Sequence, residues 1–152
     1  MCFNESLRIE PPVVISSNLI FSQDTKVLNG KYTIRKDHPM SVCIHDLHHN
    51  PLYWIEPEKF IPERFDPESK YHLQPDGNKR HPLAFTPFLG GKRVCIGKTF
   101  AEIVSKFVAP AILGKYEFEY QNKEQLTNKP IINVDTEYEP VIMVKLKRTH
   151  LF

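Results

Sequence analysis

The chain has 152 residues, 20 Lys and Arg against 18 Asp and Glu, and a formal net charge of +2 at pH 7. That length is enough for a buried core of its own, while so small a charge excess, with no long basic run and no interleaving of aromatic and basic residues, argues against a nucleic-acid partner. Three cysteines, Cys2, Cys43 and Cys95, without paired spacing argue against a disulfide framework and for a reducing environment; no window holds the roughly 18 apolar residues of a membrane span, and Met1-Cys2-Phe3-Asn4-Glu5 lacks the charged start and apolar run of a signal peptide.

In chain order, Met1 to Ile9 has helical composition and is stopped by Pro11-Pro12, which disfavour helix before them and cannot extend it. Val13-Val14-Ile15, Leu19-Ile20-Phe21, Lys31 to Lys36 after the Asn29-Gly30 turn signal, and Met40 to Ile44 read as strands of a small sheet. His45 to Asn50 is expected as a short helical turn before Pro51. The chain has thirteen prolines against six glycines, and many of the prolines fall between Pro51 and Pro87, which predicts a rigid, irregular meander there with Ser69 to Arg80 as a surface loop. From Gly97, helical spacing puts Phe100, Ile103, Val104, Phe107 and Val108 on one face of a helix running to near Gly114. Tyr116 to Tyr120, Ile131 to Val134 and Val141 to Leu146 read as closing strands, so the fold class is α+β.

Cys95 is the residue with chemical promise. It lies between Gly91 and Gly97, behind Lys92 and Arg93, and is expected in the first turn of the long helix. A thiol ligates a metal only as the thiolate, and nearby cations, a helix N-terminus and donated N–H groups favour that anion. The glycines permit a tight turn and a close approach to a flat cofactor.

The run from Phe88 to Gly97 resembles the haem-binding signature of the cytochrome P-450 (haem-thiolate monooxygenase) family at its five defining positions, Phe88, Gly91, Arg93, Cys95 and Gly97. Glu5-Ser6-Leu7-Arg8 resembles the family's Glu-x-x-Arg helix motif, and Pro62-Glu63-Arg64-Phe65 its Pro-Glu-Arg-Phe segment, in the family's order. The stretch from Asn50 to Phe60 is similar to the family's approach to that segment.

The resemblance implies the C-terminal part of the cytochrome P-450 fold, mainly α with small β-sheets and truncated on the N-terminal side, with residues 1–152 as its haem-binding portion. It implies Cys95 as axial ligand of the iron of haem (iron protoporphyrin IX), with N–H groups after it donating to its sulfur. Arg93 would pair with a propionate and Phe88 pack on the porphyrin's thiolate side, with Gly91 and Gly97 shaping the loop. Glu5, Arg8 and Arg64 would form a buried network that places this loop, a structural role rather than a catalytic one. Lys92 and Lys98 would lie on the proximal surface, as plain solvated charges or as a landing site for an acidic electron donor.

For the intact protein the resemblance implies reductive activation of O2 and oxygen insertion into a small lipophilic organic substrate, with electrons from a reductase. It also implies attachment to the endoplasmic reticulum membrane, on its cytosolic face, through an anchor missing from this chain. Val13 to Ser17 would face substrate, with Ser16 and Ser17 where many members carry a basic residue that pairs with a propionate, and a second substrate-facing turn would lie around Thr127 to Val134. The chain alone is expected to expose large apolar surfaces, hold haem loosely and not turn over.

Other readings are weaker. His45 and His49 are one helical turn apart, but no Glu follows His45 and no Cys pair supports zinc, so hydrogen bonding that anchors the meander is the expected role of one of His45, His48 and His49. The Gly91 to Thr99 segment ends like a phosphate-binding loop, but five residues separate its glycines where that motif needs four. A non-catalytic remnant or interaction module is the alternative function for the whole chain.

Overall fold

The computed structural model describes residues 1–121 and 143–148, which divide into two units, Met1–Thr99 and Phe100–Phe152. In the first, helix α1 (Cys2–Ile9) turns Glu5, Leu7 and Arg8 inward, so two of its three buried residues are charged. Glu10 N–H closes it onto Ser6 O at 2.8 Å before Pro11-Pro12 ends it.

The expected small sheet is instead two separate ladders. Strand β1 (Leu19–Ile20) pairs antiparallel with β4 (Pro39–Met40), and β2 (Thr25–Val27) with β3 (Tyr32–Ile34). The second is a hairpin whose turn carries positive φ at Leu28, Asn29 and Gly30; the Asn29-Gly30 signal located it, but β2 was too short to stand out. Val13-Val14-Ile15 makes no strand, only the bridge Ile15 to Cys43. The reason is local: Pro11 and Pro12 bring no N–H donors, and the Val42 N–H that would continue a ladder is taken by Ser16 Oγ at 2.9 Å. Met40 to Ile44 is interrupted by the same bond, with Ser41 Oγ donating to Asn18 at 2.9 Å.

Helix α2 (Ile44–His49) lies one residue ahead of the expected turn. The core beneath it is aromatic. Trp54 is fully buried and donates from Nε1 to Leu47 O at 3.2 Å, while Phe65 and Phe85 pack against it and each other in tilted and edge-on geometry with ring centroids 4.8 to 6.3 Å apart. Leu7, Ile44 and Ala84 complete this core.

Residues 51–87 run as the proline content implies, through single 3₁₀ turns at Pro62–Phe65, Lys70–His72 and Pro82–Ala84. The reading of Ser69 to Arg80 as a surface loop holds only for its tip. Ser69 Oγ caps the Lys70–His72 turn, Leu73 bridges to Lys79, and Arg80 folds back over Trp54 with its guanidinium 3.8 Å from the ring centroid. A planar cation on an indole face gains both stacking and charge–quadrupole attraction, which a polar composition does not advertise.

In the second unit, helix α3 (Lys98–Leu113, from the last residues of the first unit) buries none of its residues. The apolar face read from the spacing is exposed, Phe100 to 73% and Phe107 to 74%. Strand β5 (Tyr116–Tyr120) pairs antiparallel with β6 (Val144–Arg148), with Glu119 and Lys147 bridged at 3.2 Å on its surface. The strand expected at Val141 to Leu146 is thus centred further along, whereas Ile131 to Val134 and the turn around Thr127 lie outside the described residues. Among the described residues no helix is long and apolar enough to cross a membrane.

Candidate cofactor-binding loop

The loop around Cys95 is built by backbone turns. Leu89 N–H donates to Thr86 O at 3.0 Å, and Cys95 N–H donates back to Phe88 O at 2.9 Å, so both ends of the loop are pinned together. Between them the chain passes through positive φ at Leu89 (58°) and Gly91 (64°), followed by a 3₁₀ turn over Gly91–Arg93. Glycine accepts that conformation freely, but for Leu89 it is strained.

Cys95 stands before α3 rather than in its first turn. Its carbonyl accepts Lys98 N–H at 3.2 Å, closing a separate turn through Ile96 and Gly97, and glycine is a poor residue for a helix interior. Sγ is exposed and, among the described residues, receives no N–H bond, which corrects the expectation of donors after Cys95. A Cβ on Gly97 would stand 3.7 Å from Sγ, so glycine there leaves the flank of the sulfur open. Phe88 is half-buried, Arg93 is exposed without an ion-pair partner among the described residues, and Lys92 and Lys98 are also exposed. Ser16 is buried with Oγ committed to Val42 N–H, while Ser17 is exposed.

Elsewhere in the same unit lies a buried charged network. Arg8 meets Glu5 in a two-pronged bond, Nε to Oε2 and Nη2 to Oε1, both 2.9 Å. Arg64 Nε reaches the same Oε1 at 3.1 Å, and the Ile61 N–H joins it at 2.9 Å. The remaining guanidinium N–H groups hold carbonyls of α2 and the meander: Arg8 that of His48 in α2 (2.9 Å) and that of Lys59 (3.1 Å), Arg64 those of Ile55, Glu56 (2.7 Å) and Lys59 (3.2 Å). All three side chains are fully buried. Burial, and then Arg8 beside it, lower the Arg64 pKa, opposed by Glu5.

Two further residues belong to this assembly: Arg80, which the sequence did not single out, and His48, which fills the meander-anchoring role expected of one of the three histidines. Arg80 donates to Tyr53 O at 3.1 Å and Tyr71 O at 2.7 Å; burial, then Arg64 and Arg8, push its pKa down to about 10. His48 alone turns inward, while His45 and His49 stack on each other with ring centroids 4.0 Å apart. It accepts the Thr86 N–H on Nε2 at 3.0 Å, and burial above all pushes its pKa down to about 4. One signal for His48 existed, since of three nearby histidines it shares a helical face with Ile44. For Arg80 none did.

Residues 1–143 match the family model of cytochrome P-450, and the chain belongs to that family. Among curated relatives, it is 46% identical to rat cytochrome P-450 4F6 over 101 residues, 66% of this chain and 17% of that protein. It is 39% identical to mouse leukotriene-B4 omega-hydroxylase 3 over 124 residues, 82% of this chain and 22% of that one. The solved structure of the retinoic acid bound cyanobacterial CYP120A1 matches with a TM-score of 0.74 at 28% identity, over 97% of this chain and 32% of its own. The chain therefore spans only 17% to 32% of the length of these proteins.

Haem held through a cysteine thiolate is the cofactor of this family. The residues present fit it: an exposed sulfur on a pinned loop, a glycine at its flank, an exposed guanidinium two residues upstream and a phenylalanine at the loop's entry.

Proposed function

We propose that this chain is the haem-holding, thiolate-donating part of a monooxygenase that reduces O2 and inserts one oxygen atom into a lipophilic organic substrate. The observation that carries the reading is Cys95 Sγ, exposed on a loop closed by its own N–H bond to Phe88 O, with only hydrogen on Gly97 beside it. Cys95 would hold the iron, Arg93 a propionate through a charge-assisted bond, and Phe88 the porphyrin face on the thiolate side. Gly91 gives the loop its left-handed turn. Glu5, Arg8 and Arg64 act through the meander they tie together, as positioning residues. When bound, haem supplies a redox-active iron for oxygen chemistry, and thiolate ligation favours O–O cleavage by pushing electron density toward it.

The electrons come from a reductase partner, and the relative named for omega-hydroxylation of a leukotriene supports a lipid-like substrate. The exposed apolar side chains of Val13 and Ile15 are consistent with such a substrate. The intact protein works at the cytosolic face of the endoplasmic reticulum membrane, and residues 1–152 constitute one part of its catalytic domain.

The test is the reduced, carbon-monoxide-bound absorption spectrum of the chain in excess haem, beside Cys95→Ser. The expected result is a red-shifted, thiolate-type Soret band that fades on desalting and is absent from the variant. An equal band in Cys95→Ser would remove Cys95 as the ligand.

A further inference from the structure

The loop that carries Cys95 and the network around Glu5 are joined through Thr86. Pro87 has no N–H, so Thr86 supplies the last backbone donor before Phe88, and that donor is buried. Its N–H goes to His48 Nε2 at 3.0 Å and its carbonyl receives Leu89 N–H at 3.0 Å, the first bond of the Cys95 loop. On the other side, the His48 carbonyl receives Arg8 Nη1 at 2.9 Å. Thr86 is therefore a pivot, held from one side by His48 and holding the loop on the other.

Accepting an N–H on Nε2 requires a lone pair there, which puts the proton of the neutral ring on Nδ1. Nδ1 is buried and has no hydrogen-bond partner among the described residues, so the tautomer rests on the Thr86 bond at Nε2. The Phe85 ring lies against the imidazole at 5.2 Å. A second proton, on Nε2, would set two donors face to face at the Thr86 bond. The charges facing the ring are both cationic or potentially so, Arg8 on α1 and His49 on α2, and neither would compensate that proton.

We propose that His48 is a positioning residue for the Cys95 loop: its Nε2 holds the Thr86 N–H and its carbonyl holds Arg8, making the Glu5–Arg8–Arg64 network continuous with the backbone that presents the thiolate. The inference rests on the haem-thiolate reading for its consequence, but the link from His48 to Thr86 stands on its own geometry. It assigns the buried network a route to the sulfur, which ion pairs around the meander do not by themselves provide. It also makes presentation of the sulfur sensitive to acid through an imidazole that touches neither haem nor substrate.

Hydrogen exchange at the Thr86 amide tests this in the wild-type chain, His48→Gln and His48→Phe, each normalised to the Trp54 amide so that global opening cancels. Gln can place an acceptor near the Nε2 position without titrating; Phe keeps a planar ring without one. Loss of one hydrogen bond of ordinary net strength gives Thr86 exchange about tenfold faster in His48→Phe, with His48→Gln near wild type. Equal protection in all three chains overturns the proposal. Should the Phe variant not fold, ring ¹⁵N shifts of wild-type His48 decide, because an Nε2–H tautomer contradicts it and an Nδ1–H tautomer with a hydrogen-bonded Nε2 supports it. With haem added, His48→Phe loses thiolate-type band and His48→Gln keeps it between pH 7.5 and 5. Absence of that band from the wild type would count against the haem reading while the exchange result still decided the role of His48.

Discussion

Arg64 Nε donates to Glu5 Oε1 at 3.1 Å across 59 positions of sequence, inside a fully buried site. The same carboxylate takes both prongs of Arg8 and the Ile61 N–H, so one acidic group organises α1 and the meander together. Two cations against one anion would be costly without the carbonyls that receive the remaining guanidinium N–H groups. Glu5→Gln keeps shape but removes the charge both arginines need. The expected loss is about 3–5 kcal/mol, measured as a fall in the denaturant midpoint. Arg64→Lys recovers little of the loss caused by Arg64→Ala, because one ammonium cannot reach Glu5 and three carbonyls at once.

His48 predicts an acid-labile fold. Its ordinary pKa of 6.5 is pushed down to about 4 in the folded chain, chiefly by burial. Above pH 6.5 the ring is neutral whether the chain is folded or not, and stability is unaffected. Between 6.5 and 4 the unfolded chain binds a proton that the folded one refuses, so stability falls with pH, by up to about 3 kcal/mol over that window. Urea midpoints at pH 7.5, 5.5 and 4 check this. His48→Gln flattens the part of the slope that belongs to this ring, and an unchanged slope would assign the acid sensitivity to other groups.

How far the sequence could be read depended on whether the signal was local. α1, α2 and the start of the irregular meander were legible because prolines and helical spacing act within a few residues of themselves. The Cys95 loop was legible as a motif, yet Cys95 falls outside α3 because the turn closed by Lys98 N–H consumes the residues expected to begin the helix. Leu89 carries left-handed backbone that no composition rule assigns to leucine. The sheet failed at Ser16, where one hydroxyl takes the N–H that a ladder would use. Arg80 depends on a contact 27 positions away that nothing in its immediate sequence encodes, whereas His48 is marked inward by its helical face shared with Ile44, its partner Thr86, 38 positions away, being the part that is not local.

Arg80 is expected to matter as much to the meander as a core residue. Its guanidinium covers the Trp54 ring at 3.8 Å and ties Tyr53 O to Tyr71 O, closing the excursion between them. Arg80→Ala leaves the Tyr53 and Tyr71 carbonyls, and the more distant Leu73 carbonyl at 3.5 Å, short of a donor and uncovers the indole, a loss of about 2–4 kcal/mol. Arg80→Lys retains the charge but not the planar stack or the forked donation. Trp54 fluorescence in a urea titration reads both effects, as a shifted emission maximum in the native state and a lowered midpoint.

The two glycines around Cys95 separate backbone demand from room at the sulfur. Gly91 has φ of +64° and nothing within 4 Å of where a Cβ would stand. Gly91→Ala therefore costs only the left-handed strain, about 1–2 kcal/mol, with no new contact. Gly97 has no such backbone demand, but a Cβ there would stand in van der Waals contact with Sγ, at 3.7 Å. Gly97→Ala should lower stability by no more than about 1 kcal/mol while weakening haem retention and shifting the thiolate-type band. Denaturant midpoints together with haem titration of both variants distinguish the cases: Gly91→Ala lowers the midpoint and leaves the band position, whereas Gly97→Ala moves the band with the smaller change in midpoint. A Gly97→Ala chain that binds haem with wild-type affinity and spectrum would mean that the flank of the sulfur is not where the cofactor sits.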